Sequence, residues 1–243
     1  MAAIYLIRHG QASFGKADYD KLSAKGCKQS EILGQHLGTI VNSDRFYAGD
    51  LLRHGQTLSH FNKGAKSNDA SMITHSGFNE FDHLDILARH DARWSDPAAM
   101  GKEISKVPDG NKVFQQEFSN ALNRWIESDK DKSCTDYKES WSQFKTRCVN
   151  ALQDVIQQYL SVRGDQTTTS GSKDVLIFTS GGPISIIIQH VLGLTDAQTL
   201  LINQQLVNTS VTKLLFSKSK LSLDYYNNYS HLELKGSQWP TFR

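Results

Sequence analysis

The sequence predicts an α/β fold in which a mostly parallel sheet is covered by helices on both faces. One apolar run of strand length, Ala3–Ile7, lies near the N terminus, and a second, Val175–Phe178, lies in the last third of the chain. Continuous apolar runs of this kind are typical of strands that are buried on both faces. Segments with apolar residues at helical spacing separate the predicted strands, and this alternation indicates three layers.

Length and charge restrict the class of protein. A chain of 243 residues can bury a large core as a single domain. Its net charge is only +2, from 27 basic and 25 acidic residues, so no overall field favours nucleic acid or an anionic membrane as a partner. Any affinity for anions therefore has to come from a local group of residues.

Cysteine usage and the N-terminal segment indicate a compartment. The three cysteines, Cys27, Cys134 and Cys148, lack the spacing of metal ligands, which fits a reducing environment. The apolar stretch before Arg8 is too short for a signal peptide, and no later run approaches the length of a membrane span. We predict a cytoplasmic protein, and the sequence leaves its oligomeric state open.

The first half of the chain contains two predicted strand-to-helix units. After the strand Ala3–Ile7, Ser23 is a plausible N-cap of a helix. The apolar side of that helix is formed by residues at helical spacing: Leu33, Leu37, Ile40 and Val41. A second strand is predicted around Arg45–Gly49. The helix after it is indicated by the spacing of Leu51, Leu58 and Phe61.

The second half begins with the most regular helix of the sequence. Its apolar residues keep a period of 3.6 from Phe144 to Leu160. Residues 165–173 are polar and predict a surface loop before the strand Val175–Phe178. Pro183 suits the first turn of the next helix, which Gly193 would end.

The remaining elements are a short helix and a hairpin. Thr195 and Gln198 form a candidate capping box. Val211–Phe216 and Leu221–Tyr226 predict two strands of a hairpin at a sheet edge. Between these halves, the segment from about 82 to 137 has a weak pattern with one helix near Phe114–Ile126. We predict that it is an inserted lid.

Residues suited to phosphate chemistry follow several of the predicted strands. Arg8-His9-Gly10 comes directly after the first strand, and Arg53, Glu80 and the pair Ser180-Gly181 come after later ones. Ligands of doubly wound sheets bind outside the carboxyl ends of the strands, so these residues can converge. Arginine binds phosphate oxygens bidentately, and histidine can be phosphorylated.

The order and spacing of these motifs resemble the histidine phosphatase superfamily, also called the phosphoglycerate mutase-like family, nearly from end to end. The matching segments are Arg8-His9-Gly10-Gln11, Leu22-Ser23 with Gly26 and Gln29, Arg53 to Thr57, Asn79-Glu80-Phe81, Glu139-Ser140, Gly181-Gly182-Pro183-Ile184 and Asn208-Thr209-Ser210. The resemblance implies a phosphoglycerate mutase-like fold and a small phosphorylated molecule, or phosphate, as the ligand.

The same resemblance implies roles for individual residues. His9 would be the nucleophile that takes the phosphoryl group, with Arg8 and Arg53 holding its oxygens. Glu80 would protonate the leaving alcohol and then activate water. Gln11 and Ser13 are secondary candidates for phosphate contact. Histidine is nucleophilic near neutral pH without a metal, so no cofactor is expected.

One position departs from the family pattern. Most members have a second histidine before the paired glycines, where this chain has Ser180. A neutral hydroxyl donor is worth ~0.5–1.5 kcal/mol against ~1.5–3 kcal/mol for a charge-assisted bond. Catalysis is therefore expected to be weakened by a factor on the order of 10²–10³, and Ser180→His to restore it. The N–H groups of Gly181 and Gly182, at a helix N-terminus, would still bind an anion.

The remaining histidines and basic residues have less specific interpretations. Eight histidines are predicted to be structural or exposed, with His54 or His83 as possible substitutes for the missing ring: His36, His54, His60, His75, His83, His90, His190 and His231. Among them, His190 is expected to pack against the sheet. The basic residues of the insertion would contact substrate or face solvent: Arg89, Arg93, Lys102, Lys106 and Arg124.

The sequence thus favours a phosphatase that hydrolyses a phosphate monoester through phosphohistidine. Two alternatives stay open. One is a phospho-ligand binding or scaffold protein that barely turns over, and the other is a mutase-type phosphotransferase. Neither the substrate nor the effect of Ser180 follows from the sequence, because specificity in such a fold would come from the inserted segment.

Overall fold

The computed structural model describes residues 2–13, 20–67, 72–96, 101, 104, 106, 108–129, 136–164 and 174–242. The chain forms two compact units: Met1–Glu80 with Arg147–Arg243, and Phe81–Thr146. The predicted insertion, about 82–137, falls within the second unit, and its role as a lid stays a prediction. The predicted surface loop at 165–173 lies outside the described residues.

The first unit contains a six-stranded mixed sheet. Its strands are β1 (Ala2–Arg8), β2 (Ser43–Ala48), β3 (Met72–Thr74), β4 (Asp174–Thr179), β5 (Val211–Phe216) and β6 (Leu221–Asn228). Their order in the sheet is β3-β2-β4-β1-β5-β6. The four strands from β3 to β1 are parallel, whereas β5 and β6 are antiparallel. The predicted mostly parallel sheet with a hairpin at one edge is confirmed.

The described residues include eight α-helices. They are α1 (Ala24–Leu37), α2 (Leu52–Ala65), α3 (His83–His90), α4 (Gly110–Ser128), α5 (Trp141–Gly164), α6 (Gly181–Leu192), α7 (Asp196–Gln205) and α8 (Ser230–Glu233). Short 3₁₀ turns occur at Ser76–Phe78 and Ala92–Ser95. In the described ranges, no helix has both the length and the apolar character needed to cross a bilayer.

Helices cover both faces of the sheet because the strand side chains alternate. Ile4, Leu6 and Ile177 belong to one buried cluster, which includes α5 and α6 side chains such as Val155 and Ile187. Tyr5, Ile7 and Phe178 point the other way, into a second cluster with α1 and α2 side chains such as Leu33 and Phe61. Strands apolar on both faces require this three-layer arrangement. The predicted fold class is therefore confirmed.

Most predicted helix boundaries agree with the structure. Ser23 Oγ accepts a hydrogen bond from the N–H of Gly26, which confirms the N-cap of α1. Gly193 ends α6 with a φ of +67°, in the left-handed region that favours glycine. The capping box of Thr195 and Gln198 is present at α7.

Two expectations about the helices are wrong. Ile40 does not belong to α1, which ends at Leu37; the Thr39 hydroxyl donates to the carbonyl of His36, and Ile40 is 60 % exposed. His190 does not pack against the sheet but is exposed. The reason is that His190 lies in the last turn of α6, beyond its fully buried stretch, Gly181–Ile188.

The sequence analysis also missed two elements. The edge strand β3 has only three residues, and all of them are exposed, so no buried apolar pattern predicts it. Helix α3 begins after Asp82, whose carboxylate accepts hydrogen bonds from the N–H groups of Leu84 and Asp85. Eight residues with three buried side chains are too few for a convincing period.

The second unit has its own aromatic core. The Trp125 ring lies within 5.2–5.8 Å of the rings of Phe81, Trp141 and Phe144, measured between centroids. Its indole N–H donates to the carbonyl of Glu139 at 2.8 Å. Helix α4, which carries Trp125, confirms the helix predicted near Phe114–Ile126.

Three of the basic residues in this unit have acidic partners there. Arg89 pairs with Asp85, Arg93 with Asp91, and Arg124 with Asp136. Lys106 is exposed, and Lys102 lies outside the described residues.

Candidate active site

The parallel register of β1 and β4 brings two predicted site residues to the same edge of the sheet. Arg8 is paired with Thr179, so the next residues, His9 and Ser180, leave the sheet side by side. The N–H of His9 donates to the carbonyl of Thr179 at 2.8 Å and extends the strand pairing by one residue. This edge holds the carboxyl ends of the parallel strands, where α/β proteins bind ligands.

The His9 ring is buried and has a defined tautomer. Only 7 % of the residue is exposed, and Nδ1 lies 2.7 Å from the carbonyl oxygen of Gly10. Because a carbonyl oxygen only accepts, Nδ1 carries the proton and Nε2 has a free lone pair. Burial, followed by the charges of Arg53, Arg8 and His54, lowers the pKa of His9 well below 6.5. The ring is therefore neutral at neutral pH.

The backbone of His9 is fixed from two sides. The side-chain amide of Asn208 donates to the His9 carbonyl at 3.2 Å, and the N–H of Thr209 donates to the Arg8 carbonyl at 3.0 Å. On the other side, the N–H of Gly10 donates to Thr57 Oγ1 at 3.1 Å, and the Thr57 hydroxyl donates to the Arg53 carbonyl at 2.7 Å. Thr57 thereby joins the end of β1 to the first turns of α2.

Arg53 is buried in the first turn of α2 and has an acidic partner. Its guanidinium donates to Asp20 Oδ1 at 2.7 Å, and the other oxygen of Asp20 accepts the N–H of Leu52 at 2.8 Å. Asp20 thus caps α2 and orients Arg53. The sequence analysis did not find Asp20, because it is distant in the chain from the helix that it caps.

The Arg8 guanidinium is directed toward the C-terminal part of the chain. It donates to the carbonyl of Leu206 and, at 3.0 Å, to that of Phe242. A Cβ atom on Gly181 would lie 3.7 Å from Arg8 Nε, so Arg8 is adjacent to the N-terminus of α6. Both arginines depress the pKa of His9, which places two positive charges within electrostatic range of its ring.

The side chain of Glu80 reaches the N-terminus of α6. Its Oε2 accepts the N–H of Gly182 at 3.1 Å. The preceding backbone is held by Thr179, whose hydroxyl donates to the Phe78 carbonyl at 2.6 Å. The expectation that the Gly182 N–H would serve an external anion therefore needs correction, since a carboxylate of the chain itself is its acceptor.

Gln11 and Ser13 have structural contacts. Gln11 Oε1 accepts from the Ser23 hydroxyl at 2.9 Å, and the Gln11 N–H donates to Gln29 Oε1 at 2.9 Å. The N–H of Ser13 donates to the Lys21 carbonyl at 2.8 Å. These bonds connect the segment after His9 to the N-terminus of α1, and a role in phosphate contact stays a prediction.

The site contains a second histidine that the sequence analysis left among the alternatives. The rings of His54 and His9 lie 5.8 Å apart between centroids, and His54 Nε2 is 2.7 Å from Ser180 Oγ. His54, Thr57, Leu58 and Phe61 are all buried and follow i, i+3, i+4, i+7 spacing, so helical periodicity alone could have predicted that His54 faces inward. His83 belongs to the second unit. Among the described residues, no three His, Cys, Asp or Glu side chains are arranged to hold a metal.

The fold and this arrangement define an α/β protein with histidines, arginines and a glutamate at the carboxyl ends of its parallel strands. The chain belongs to the histidine phosphatase superfamily (branch 1), whose sequence profile matches residues 4–111 and 109–229. The resemblance drawn from the motifs is thereby confirmed.

Solved structures show the same fold at low sequence identity. Phosphoglycerate mutase from Bacillus anthracis is 19 % identical, with a TM-score of 0.62 over 95 % of this chain and 94 % of its own. A mycobacterial glucosyl-3-phosphoglycerate phosphatase in complex with inorganic phosphate is 17 % identical, with a TM-score of 0.64 over 95 % and 99 %. Phosphoserine phosphatase from Entamoeba histolytica, as a mutant in complex with phosphoserine, is 17 % identical, with a TM-score of 0.59 over 96 % and 100 %. A search of curated proteins finds no match.

Proposed function

We propose that this protein is a phosphatase that hydrolyses a phosphate monoester through a phosphohistidine intermediate on His9. The observation that carries the proposal is the state of the His9 ring. Its Nδ1–H is held by the Gly10 carbonyl, its pKa is depressed, and Arg8 and Arg53 supply positive charge nearby. A neutral imidazole with a free Nε2 next to two guanidinium groups suits attack on a phosphoryl dianion.

The reaction has two balanced steps. His9 Nε2 forms a bond to phosphorus while the bond from phosphorus to the ester oxygen breaks, and Glu80 gives its proton to the departing alkoxide. Glu80 then takes a proton from water, and the hydroxide forms a bond to phosphorus as the bond to His9 breaks. One contact supports this role: Glu80 Oε2 accepts the N–H of Gly182, which is two residues after Ser180.

The structural neighbours support a class of substrate. Two similar structures are phosphatases determined with phosphoserine and with inorganic phosphate. We infer that a small phosphorylated molecule is the substrate here too. The cytoplasmic location stays a prediction from the sequence.

The proposal is tested by trapping the intermediate. The protein is mixed with an aryl phosphate, quenched in base to preserve phosphohistidine, and the modified residue is mapped by mass spectrometry. We expect phosphate on His9 and steady release of the phenol. His9→Ala should abolish both, whereas His190→Ala, which changes an exposed histidine, should leave both unchanged.

The same experiment separates a phosphatase from a binding protein. Equal, negligible release by the wild type and His9→Ala, together with binding of inorganic phosphate by both, would show that the site binds without catalysis. Phosphate mapped to a residue other than His9 would overturn the mechanism.

A further inference from the structure

Two residues from different elements meet where the family pattern has one histidine. Ser180 follows β4, and His54 lies in the first turn of α2. His54 Nε2 is 2.7 Å from Ser180 Oγ, and both residues are fully buried. The pair lies beside His9, since the two imidazole rings are 5.8 Å apart.

The local backbone makes room for the His54 ring. A Cβ atom on Gly49 would overlap with His54 Nδ1 and lie 2.9 Å from Cε1. Any side chain at position 49 would therefore displace the ring. The ring is held between the Gly49 backbone on one side and the Ser180 hydroxyl on the other, so its orientation is fixed.

We propose that Ser180 and His54 together replace the absent second histidine: the Ser180 hydroxyl donates to a phosphoryl oxygen, and His54 positions that hydroxyl from behind. The inference deepens the proposed function and rests on the same phosphoryl site. Ser180 is the catalytic residue, because it touches the substrate. His54 is a positioning residue, because its Nε2 is already used by Ser180.

The protonation state of His54 decides where the Ser180 proton points. If Nε2 has no proton, Ser180 donates to it and turns its lone pairs toward the anion. If Nε2 carries a proton, it donates to Ser180 Oγ, and the hydroxyl proton is available to the anion. Productive binding therefore requires a proton on Nε2 of His54.

Binding of a dianion favours the state of His54 in which Nε2 carries the proton. Burial and the charge of Arg53 lower the pKa of His54 well below 6.5, and the Gly49 carbonyl opposes the shift. Other charged or titratable groups near the pair are His9, Arg8 and Glu80, the last through its bond to Gly182. A dianion at the site favours the tautomer of His54 that carries its proton on Nε2, because the Ser180 hydroxyl proton then faces the anion.

The test uses tungstate at pH 8, where it is a monomeric dianion, with calorimetric titration of the full-length protein. His54→Gln and Ser180→Ala should each weaken binding by about tenfold, the loss of one hydrogen bond to the anion. The double variant should lose no more than either single variant, because the two residues act as a unit. The control His190→Ala should bind as the wild type does.

A swap of the two residues gives a second, independent result. The sequence alone predicts that Ser180→His restores activity. The structure predicts that this single variant stays weak, because two rings would compete for one buried space. His54→Ala combined with Ser180→His should rescue binding and aryl phosphate hydrolysis to at least the wild-type level.

The outcomes distinguish this inference from the proposed function. If no phosphohistidine forms but the tungstate titrations behave as expected, the phosphatase proposal fails and the inference stands. If His54→Gln or Ser180→Ala binds tungstate with the affinity of the wild type, the inference is overturned. The same holds if Ser180→His alone gives the full gain. Thermal melts identify misfolded variants, and Ser180→Ala, which removes one oxygen, keeps the test decisive if His54→Gln does not fold.

Discussion

The Arg53 guanidinium donates to Asp20 Oδ1 at 2.7 Å, so a proposed phosphate ligand already has a carboxylate partner inside the protein. Arg53 is buried, whereas the Asp20 side chain is 38 % exposed. The carboxylate therefore fixes the guanidinium and at the same time offsets part of the positive charge that an anion would meet.

We expect Asp20→Asn to strengthen tungstate binding about twofold to fivefold, since a partly exposed ion pair is worth roughly 0.2–1 kcal/mol. The asparagine oxygen can still accept from the N–H of Leu52. Titration at low and high salt measures the effect, which should shrink as salt screens the charge. Asp91→Asn, which breaks the exposed pair with Arg93, is the matched control. Weaker binding by Asp20→Asn would mean that orientation of Arg53 outweighs its partial neutralisation.

The pH dependence of His9 is a second prediction. Its folded-state pKa lies well below 6.5, because burial and the charges of Arg53 and Arg8 disfavour the imidazolium. The His9 ring is therefore fully neutral above pH 6.5 and is protonated only at lower pH. NMR titration of the ring, with His9→Ala to assign its signals, should show an apparent pKa well below 6.5. Arg53→Met should raise that pKa, and an unchanged or lower value would contradict the electrostatic cause.

Thr57 joins β1 to α2 through two hydrogen bonds of one hydroxyl. Thr57→Val keeps the shape but leaves the Gly10 N–H without its acceptor. We expect the free energy of unfolding to fall by about 1–3 kcal/mol, the cost of an unsatisfied buried donor. Thr57→Ser keeps the hydroxyl and should lose less. Denaturant unfolding of the two variants measures the difference, and equal losses would assign the effect to packing.

Two helical glycines form a matched pair. A Cβ on Gly26 would overlap with the Gln11 carbonyl oxygen and lie 2.7 Å from the Gln11 nitrogen, whereas a Cβ on Gly55 meets nothing within 4 Å. Gly26→Ala should destabilise the protein by about 1–3 kcal/mol, because backbone would have to move. Gly55→Ala should stabilise α2 by about 0.5–1 kcal/mol through helix propensity. Thermal and denaturant unfolding test both, and a stable Gly26→Ala variant would refute the predicted close approach.

His231 makes stability depend on pH. Burial, and secondarily His36, lowers its pKa to about 3, and its Nε2 lies 3.1 Å from Thr209 Oγ1. The unfolded chain binds a proton below pH 6.5 while the folded chain does not until about pH 3. The contribution of His231 to the free energy of unfolding is therefore complete above pH 6.5. It is lost progressively at lower pH, by about 1.4 kcal/mol per pH unit.

In His231→Phe, the free energy of unfolding should depend less steeply on pH, because the unfolded chain binds one proton fewer. The free energy of unfolding of both proteins is measured from pH 7 to pH 5. The wild-type slope includes His9 and His54 as well, so the variant keeps a reduced slope. Parallel profiles would show that His231 does not titrate on unfolding.

The fold class and most elements of the first unit follow from patterns in the amino-acid sequence. Apolar runs such as Val175–Phe178 and local signals such as the cap at Ser23 act within a few residues. The strand and the helix start that they specify can therefore be predicted from the sequence. The motifs also determined the superfamily. His9 is predicted as a site residue because it follows a strand end, a rule that depends only on the direction of the strands, whereas the role proposed for Glu80 comes from the resemblance to the superfamily.

Which side chains of the site meet depends on tertiary packing. The contact between His54 and Ser180 joins residues 126 positions apart, and that between Arg53 and Asp20 joins residues 33 positions apart. Neither has a local signature, because such contacts depend on the register of β1 against β4 and on how α2 packs beside them. The sequence showed that an imidazole was missing at position 180, whereas the packing of α2 placed another one behind the serine that replaces it.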